Sequence, residues 1–363
     1  MEAGGGAPAA AAAVEGVLEP VAIIDKTGEA LVAIGESFAL PPSLTELHLS
    51  HNRIAAIDQL DALALLRVLN LRSNQIGEIC GLDGCASLRE LDLYENQLSE
   101  IRGLERCPEL RVLDLSFNQL RSLALLPAQG LSKLAKLFAP QNKLERIEGL
   151  EGLAQLQTLE LGSNRIRTIE ALAHLGELRE LHLGRNKIAS LSGLEGLRQL
   201  RILGLSSNRL QALGEGLAGL VALEELYVAH NGLSSFVDLP RTLTRLRVLD
   251  AAGNRIEAVA ELTPFPLLED LWLNDNCIGT MAAAAAVAAS LRLQTLYLEG
   301  NPLAQANDAY AVQLLAFAPA SLRQLDAIVL APDWVCKVSR SPPPPPEQLV
   351  GAPAGAPAEV VAE

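Results

Sequence analysis

Aromatic and basic residues are both scarce in this chain. Aromatics make up 3% of its 363 residues, although 49% of the residues are hydrophobic, so leucine must supply the core. The 29 Lys and Arg residues stand against 43 Asp and Glu, which gives a formal net charge of −14. A phosphate backbone would be repelled by this charge, so we expect no nucleic-acid partner. A basic or mixed protein surface fits better.

Cysteines are few, and long apolar runs are missing. The five cysteines show neither metal-ligand spacing nor an even count for disulfides, which suits a reducing compartment. The start, Met1–Pro8, has no Lys or Arg and lacks the features of a signal peptide. No apolar run is long enough to span a membrane. We therefore predict a nuclear or cytoplasmic protein with no membrane association.

Catalytic motifs are absent as well. The sequence contains no phosphate-binding glycine loop with lysine, no Gly-x-Ser-x-Gly and no His-Glu-x-x-His. The five histidines lack metal-like spacing, and acids on an exposed face have little reason for the raised pKa of a general acid. We expect no catalytic residues, no metal and no cofactor, and hence no enzymatic activity.

What the chain does have is a repeat. Twelve asparagines recur 22 to 25 residues apart in the pattern Leu-x-x-Leu-x-Leu-x-x-Asn-x-Ile/Leu. They are Asn52, Asn74, Asn96, Asn118, Asn142, Asn164, Asn186, Asn208, Asn231, Asn254, Asn276 and Asn301. This period is typical of leucine-rich repeats. It predicts an α/β solenoid: a horseshoe with a concave parallel sheet of about twelve short strands. We expect the asparagines to stack as a ladder that binds backbone groups at each turn.

The second half of each repeat has an apolar residue at every third position, which predicts convex 3₁₀ or short-helix turns. The coil after Asn276 differs because it contains an alanine-rich run over 281–290, for which we predict a true α-helix. Residues 1–20 are predicted to be disordered and Ala/Gly-rich, 21–43 to form an N-terminal cap and 44–303 the twelve repeats. A C-terminal cap over 304–336 and a Pro-rich disordered tail over 337–363 follow.

The residue between the two leucines of each strand must face outward, because strand side chains alternate. We call these twelve positions the central row: His48, Asn70, Asp92, Asp114, Phe138, Glu160, His182, Gly204, Tyr227, Asp250, Trp272 and Tyr297. Four are aromatic, whereas twelve positions at 3% predict about 0.4. Aromatics among carboxylates are typical of a protein-binding surface. The alternative is that these side chains only stabilise neighbouring strands by cross-strand packing.

Several stretches resemble one particular family, the leucine-rich-repeat regulatory subunit 7 of protein phosphatase 1. The resemblance covers roughly residues 44–330. It rests on Leu88–Gln97, Leu156–Arg167, Leu183–Ile188, Glu224–Gly232, Leu271–Asn276, Leu296–Pro302 and Leu322–Ala327. It implies a non-catalytic regulatory subunit that grips the phosphatase catalytic subunit with its concave face and controls its maturation, localisation or activity. It also implies that a small inhibitor protein can join a ternary complex, often in the nucleus.

Carried over by position, the resemblance implies eight contact residues: Asp114, Phe138, Glu160, His182, Asp250, Asp270, Trp272 and Tyr297. The central row holds seven of them and adds Tyr227, while Asp270 lies two residues before the row. The family has an aromatic where this chain has His182, so we expect a weaker or pH-sensitive contact there. Pro140 removes a backbone donor, so we also predict a frayed fifth repeat strand.

A leucine-rich adaptor of another assembly, ciliary, cytoskeletal or spliceosomal, is the alternative function. The sign of any effect on phosphatase activity, the partner isoform and the role of the two ends are not determined by the sequence.

Overall fold

Each repeat forms one coil of a solenoid, with a short strand on one side and tight turns on the other. The computed structural model describes residues 22–35, 37–338 and 341–343. Within these residues one sheet contains fifteen strands in chain order, all parallel except for the last pair. The predicted horseshoe with its concave parallel sheet is therefore confirmed.

The twelve repeat strands are flanked by one strand before them and two after them. The strands are β1 (Ala22–Asp25), β2 (Leu44–His48), β3 (Val68–Asn70), β4 (Glu90–Asp92), β5 (Val112–Asp114), β6 (Lys136–Phe138), β7 (Thr158–Glu160), β8 (Glu180–His182), β9 (Ile202–Gly204), β10 (Glu225–Tyr227), β11 (Val248–Asp250), β12 (Asp270–Trp272), β13 (Thr295–Tyr297), β14 (Gln324–Leu325) and β15 (Ile328–Val329).

Leucines fill the interior from both halves of every coil. In the second repeat Leu66, Leu69 and Leu71 are all 0% exposed. The same positions are buried along the solenoid, and their side chains form one continuous core. Each such leucine contributes roughly 2 kcal/mol of burial, so coil stacking rather than local propensity holds the fold.

The asparagine ladder is present in all twelve repeats. Asn164 is typical: its Nδ2 donates to the carbonyls of Ala139 in the preceding coil at 3.0 Å and of Leu161 in its own coil at 3.0 Å. Its Oδ1 accepts the N–H of Leu144, also in the preceding coil, at 3.0 Å. From Asn52 to Asn301 every ladder asparagine donates to, and accepts from, the coil before it.

The convex side consists of tight turns whose N–H groups reach back three residues. In the first coil Leu63 donates to Leu60, and Leu66 to Leu63, each at 3.0 Å. Such i to i−3 bonds are of the 3₁₀ type. Regular 3₁₀ helices form at Pro127–Gln129, Glu215–Leu217 and Ala285–Ala289.

The predicted α-helix over 281–290 is only partly right. Helix α1 spans Met281–Ala284, and Thr280 Oγ1 caps it by accepting the N–H of Ala283 at 3.1 Å. The run then continues as the 3₁₀ helix Ala285–Ala289. A 3₁₀ helix rises about 2.0 Å per residue, so tightening the run carries the chain back toward β13 within one coil.

The predicted fraying around Pro140 is wrong. Strand β6 pairs in full register with β5 and β7. The Pro140 carbonyl still accepts the N–H of Phe117 at 3.0 Å, and Ala139 donates to Glu160 at 2.8 Å. In four other coils the N–H at this position bonds to an Asp or Asn of the central row, as Ser116 does to Asp114. Phe138 offers no such acceptor, so proline removes a donor that has no partner there.

Both ends of the stack are covered. On the N-terminal side β1 pairs with β2, and Ile34 is 0% exposed in the core. On the C-terminal side lie α2 (Pro302–Gln305), α3 (Tyr310–Leu315) and α4 (Trp334–Lys337). The Trp334 indole is buried, and its Nε1 donates to the Leu322 carbonyl at 2.9 Å. The predicted disordered ends, 1–20 and most of 337–363, lie outside the described residues.

Replacing one ladder asparagine should destabilise the whole solenoid. In Asn164→Ala, the Leu144 N–H and the carbonyls of Ala139 and Leu161 lose a buried partner. We expect a loss of about 2–4 kcal/mol, because unpaired buried polar groups are costly. Urea unfolding followed by circular dichroism measures it. The neighbouring exposed Arg165→Ala is the control and should change stability by less than about 0.5 kcal/mol; equal effects would contradict the ladder's role.

Candidate functional site on the concave face

The central row is in register along the sheet. His48 pairs with Asn70, Asp92 with Asp114, and the row continues strand by strand to Trp272 and Tyr297. All nine predicted contact residues are half-buried. None of them lies inside the hydrophobic core, and each presents part of its side chain to the concave surface. The structure therefore brings them onto one face, with Asp270 in the adjacent row on β12.

Three of the row's aromatic side chains form a cluster at its C-terminal end, which we call the aromatic cluster: Tyr227, Trp272 and Tyr297. The ring centroids of Tyr227 and Trp272 are 6.5 Å apart and tilted by 58°. Trp272 meets Tyr297 edge to face at 6.3 Å and 81°. Both separations lie in the favourable range for aromatic pairs. The cluster thus presents a preformed apolar surface across four strands.

Polar contacts hold the two tyrosines of the cluster in place. The Tyr227 hydroxyl donates to Glu225 Oε2 at 2.7 Å. Burial, followed by this carboxylate, raises the pKa of Tyr227 to about 12. At the other end Gln324 Nε2 donates to the Tyr297 hydroxyl at 2.5 Å. Because both hydroxyls are tethered, the rings lose little further freedom when a partner binds.

Trp272 carries a polar atom that is left unsatisfied. Its Nε1 is buried and has no hydrogen-bond partner among the described residues. A buried unpaired N–H costs free energy, and tryptophans on binding surfaces commonly combine an apolar body with one donor. A partner that supplies an acceptor to a slightly turned indole would therefore gain one hydrogen bond at this position.

Acids and amides of the row also have a structural role that the sequence reasoning missed. The side-chain oxygens of Asn70, Asp92, Asp114 and Asp250 accept the N–H two residues further on, at 2.8 to 3.1 Å. These are Asx turns, and the signal was an Asp or Asn two residues before the turn. Burial raises the pKa of Asp92 and Asp250. Each carboxylate thus shapes its strand end with one oxygen and leaves the other for solvent or a partner.

A depression lies between the aromatic cluster and the middle of the row. Gly204 contributes no side chain there, and a Cβ at this position would stand 3.0 Å from His182 Nδ1. The space of about 900 Å³ is bordered by acids such as Glu160 and Asp250 and by the rings of Tyr227 and Trp272. The fourth row aromatic, Phe138, borders a smaller depression of about 280 Å³ beside Asp114. The face therefore combines aromatic protrusions with acidic recesses.

A second aromatic feature was not predicted as a site. The ring centroids of Tyr94 and Phe117 are 4.8 Å apart, with the rings tilted by 44°. The Arg72 guanidinium lies 3.8 Å from the Tyr94 ring centre. Phe117 is 43% exposed and has a φ of 54°, an unusual backbone conformation for an aromatic residue. The signal was an aromatic at a turn position that other repeats fill mostly with small or polar residues. This patch borders the N-terminal half of the concave face.

Metal-ligand clusters are absent from the described part of the chain. The same part has no helix that is long and apolar enough to span a membrane.

Comparison with known proteins supports the repeat assignment. A family model described as leucine-rich repeats (2 copies) matches this chain twice, at residues 42–84 and 86–128. A second model, described as leucine rich repeat, matches residues 146–188. The chain is 36% identical over 90 residues to geranylgeranyl transferase type-2 subunit alpha of Homo sapiens, covering 25% of this chain. It is 40% identical over 99 residues to podocan of Mus musculus, covering 26% of this chain. In each case only 16% of the relative's length is matched.

Solved structures match over a greater length. An internalin (InlF) from Listeria monocytogenes superposes with a TM-score of 0.72 at 26% identity, covering 85% of this chain and 87% of that one. The leucine-rich-repeat domain of APL1B gives 0.64 at 23% identity, covering 77% and 82%. A repeat protein from Leptospira interrogans gives 0.62 at 23%, covering 79% and 81%. The last two likenesses concern the fold alone.

The chain has an internalin-like leucine-rich-repeat horseshoe fold, and leucine-rich-repeat family models match three stretches of it. Solenoids of this kind present an extended concave surface for binding, which is typical of protein-interaction scaffolds.

Tyr227 should ionise at a higher pH than an ordinary tyrosine. Since its pKa is raised to about 12, the hydroxyl favours the neutral form in the folded protein. The stability that the neutral Tyr227 hydroxyl contributes to the folded state is present below pH 10 and is lost as the pH rises toward 12. Ultraviolet titration of tyrosinate should therefore show a late component that Tyr227→Phe removes.

Tyr310→Phe is the control for this titration. The Tyr310 phenol lies in the C-terminal cap, away from the aromatic cluster, and its replacement should leave the late component in place. If Tyr227→Phe leaves the late component unchanged, the tether to Glu225 is wrong.

Proposed function

We propose that this protein is a non-catalytic regulatory or scaffold subunit that binds the catalytic subunit of protein phosphatase 1 through its concave face. Control of the phosphatase's maturation, localisation or activity would follow from this binding. The observation that carries the proposal is the aromatic cluster, in register with Asp250 and next to Asp270. The resemblance of the repeats to the phosphatase regulatory family supplies the partner, and with it the proposed nuclear or cytoplasmic location.

The composition of the face supports a protein partner. Binding hot spots are enriched in Trp and Tyr, and rigid rings offer apolar area at low entropic cost. Here the rings are held by Glu225 and Gln324 before any partner arrives. Half-buried rings on the concave surface of a chain with so few aromatics are hard to explain by cross-strand packing alone, because leucine already fills the core.

The charge of the face supports a basic partner surface. Glu160 and Asp250 border the central depression, and Asp114 and Asp92 lie on neighbouring strands beside the smaller one. Carboxylates arranged in this way orient a basic patch and reject acidic proteins, which contributes to specificity and association rate more than to affinity.

The size of the face is adequate for a globular catalytic domain. Twelve strands about 4.8 Å apart make an arc of roughly 55 Å. A domain of about 300 residues has a radius of gyration near 19 Å. A partner of that size seated in the arc can bury more than the roughly 1,600 Å² of a standard interface.

Removing two rings should abolish binding without unfolding the protein. In Trp272→Ala/Tyr297→Ala we expect phosphatase co-purification to fall by at least about a hundredfold, because hot-spot residues contribute about 2 kcal/mol or more each. The melting temperature should fall by only a few degrees, since the two aromatic pairs that Trp272 forms contribute about 1 kcal/mol each. Co-purification with the purified phosphatase measures binding, and scanning calorimetry measures the melting temperature.

Leu291→Ala is the matched control, because Leu291 is 81% exposed on the convex side. It should leave both binding and melting unchanged. Retained binding by the double variant would exclude the aromatic cluster as the site. Affinity purification that returns dynein or RNA-binding proteins and no phosphatase would favour an adaptor of another assembly.

His182 offers a gain-of-function test. The resembling family has an aromatic at this position, and His182 lies half-buried between Glu160 and Gly204 in the row. We expect His182→Phe to strengthen phosphatase binding by about two- to tenfold, the effect of one added aromatic contact. Titration calorimetry with the purified phosphatase measures it. His174→Phe, on the convex side, is the control and should have no effect; unchanged binding by both variants would remove His182 from the interface.

A further inference from the structure

A row of basic side chains runs along the edge of the solenoid, next to the asparagine ladder. It consists of the residues that directly follow five ladder asparagines, and we call it the basic row: Lys143, Arg165, Lys187, Arg209 and Arg255. The first coil has Arg53 at this position, but the three coils between it and Lys143 hold Gln75, Gln97 and Gln119. The five cations of the basic row therefore form a run only in the middle and C-terminal part of the molecule, and such a run is unexpected in a chain of formal net charge −14.

The row stands on a fixed backbone and points outward. Arg165 lies between Asn164 and Ile166, which are 8% and 0% exposed, so its own side chain is directed to solvent. Its N–H donates to the carbonyl of Leu144 in the preceding coil at 2.8 Å. Lys187 and Arg209 repeat this bond at 2.8 Å with Ile166 and Ile188. The cations are thus carried at the coil spacing of about 4.8 Å.

No carboxylate balances the centre of the row. Three asparagines, Asn164, Asn186 and Asn208, lie at the centre of the row. The residues directly before them are Ser163, Arg185 and Ser207, and the residues located three positions after them are Arg167, Ala189 and Gln211. Five cations and no acid therefore occupy these positions. In the described part of the chain, Arg165, Lys187 and Arg209 form no ion pair. By contrast, Lys133, Arg146 and Arg247 each contact a glutamate of a neighbouring coil.

The row is interrupted by a polar depression. Gly232 occupies the position between Arg209 and Arg255, and the missing side chain leaves a space of about 520 Å³. Arg209 and Arg255 border it from either side, with the Gln211 amide and the Ser234 hydroxyl beside them. Guanidinium groups bind carboxylates with two parallel hydrogen bonds, so two of them across a glycine gap suit an acidic side chain.

We propose that the basic row binds an extended acidic segment of a partner protein, with one carboxylate seated in the depression at Gly232. From Lys143 to Arg255 the row spans five coil steps, roughly 24 Å, which matches about seven residues of extended chain. Like charges held one coil apart repel each other, and an acidic strand laid along them replaces repulsion by attraction. This docking does not depend on the concave-face proposal, because no central-row residue takes part.

Other polyanions fit the row less well. Single-stranded nucleic acids are bound by stacking of bases on aromatic side chains, and none of the residues at these positions is aromatic. Membrane-binding surfaces pair cations with large apolar side chains, whereas Ala189 is the largest apolar residue among the positions flanking the centre of the row. Screening over about 8 Å at physiological salt limits repulsion from the distant acids, so the attraction is local and salt-sensitive.

The test uses a fluorescein-labelled polyglutamate peptide of about eight residues and fluorescence anisotropy with the full chain. The variant Arg165→Glu/Lys187→Glu/Arg209→Glu reverses the centre of the row. The control Arg106→Glu/Arg198→Glu/Arg292→Glu changes net charge equally at exposed positions in the convex turns. We expect the row variant to lose at least about tenfold in affinity and the control less than about threefold, because exposed charge pairs act only at short range.

Two further measurements complete the test. Circular dichroism should show both variants folded, and raising the ionic strength should weaken wild-type binding steeply. Absence of saturable binding by the wild type, or equal losses in the two variants, would overturn the proposal. A single-stranded oligonucleotide of equal charge that binds more tightly than the peptide would also overturn it, in favour of nucleic acid.

Discussion

The carboxamide of the ladder asparagine is the interaction on which the rest of the molecule depends. It donates to carbonyls of its own and the preceding coil and accepts one N–H, as Asn164 does with Ala139, Leu161 and Leu144. Aspartate lacks the donors for this, and glutamine is one methylene longer. At the last strand only acceptance is required, and there Asp326 accepts the N–H groups of Leu298 and Glu299. Burial raises the pKa of Asp326, whose second oxygen has no partner among the described residues.

Because the ladder and the leucines determine the interior, outward-facing positions are the ones that vary between repeats. Each such position becomes a straight row of side chains at coil spacing. The central row carries rings and carboxylates, and the basic row carries cations only a few residues further along the same coils. Two surfaces of opposite charge therefore lie on one rigid frame, and each can change without disturbing the core. In a globular domain, changing five neighbouring surface residues would alter contacts from several unrelated elements.

Most of the fold could be predicted because the repeats have nearly constant length. Equal spacing places equivalent residues side by side, so the central row could be drawn before any strand pairing was known. The errors arose where one coil departs from the average. The sequence predicts that Pro140 disturbs β6, but the N–H that proline lacks bonds to the row only in the four coils with Asp or Asn there, and Phe138 offers no such acceptor. The alanine run after Thr280 has high helix propensity, yet the return to β13 limits α1 to one turn. Phe117 was missed because its conformation depends on the turn, not on its residue type.

The site is harder to predict than the fold, for a physical reason. Leucines and asparagines make contacts inside the chain, whereas the contacts proposed for Trp272 and Tyr297 are with a molecule that the sequence does not contain. The fold itself says little about that molecule, since similar horseshoes at 21–26% identity occur in an internalin and in a plant peptide hormone receptor. The positions of this chain's few rings say more: Phe236, Phe265 and Trp334 are buried, while the rings of the aromatic cluster are half-buried on the concave surface. The indole N–H of Trp272 in that cluster is buried and has no partner among the described residues. Exposed rings cost free energy in the unbound protein, and a binding partner is the simplest source of the compensating stabilisation.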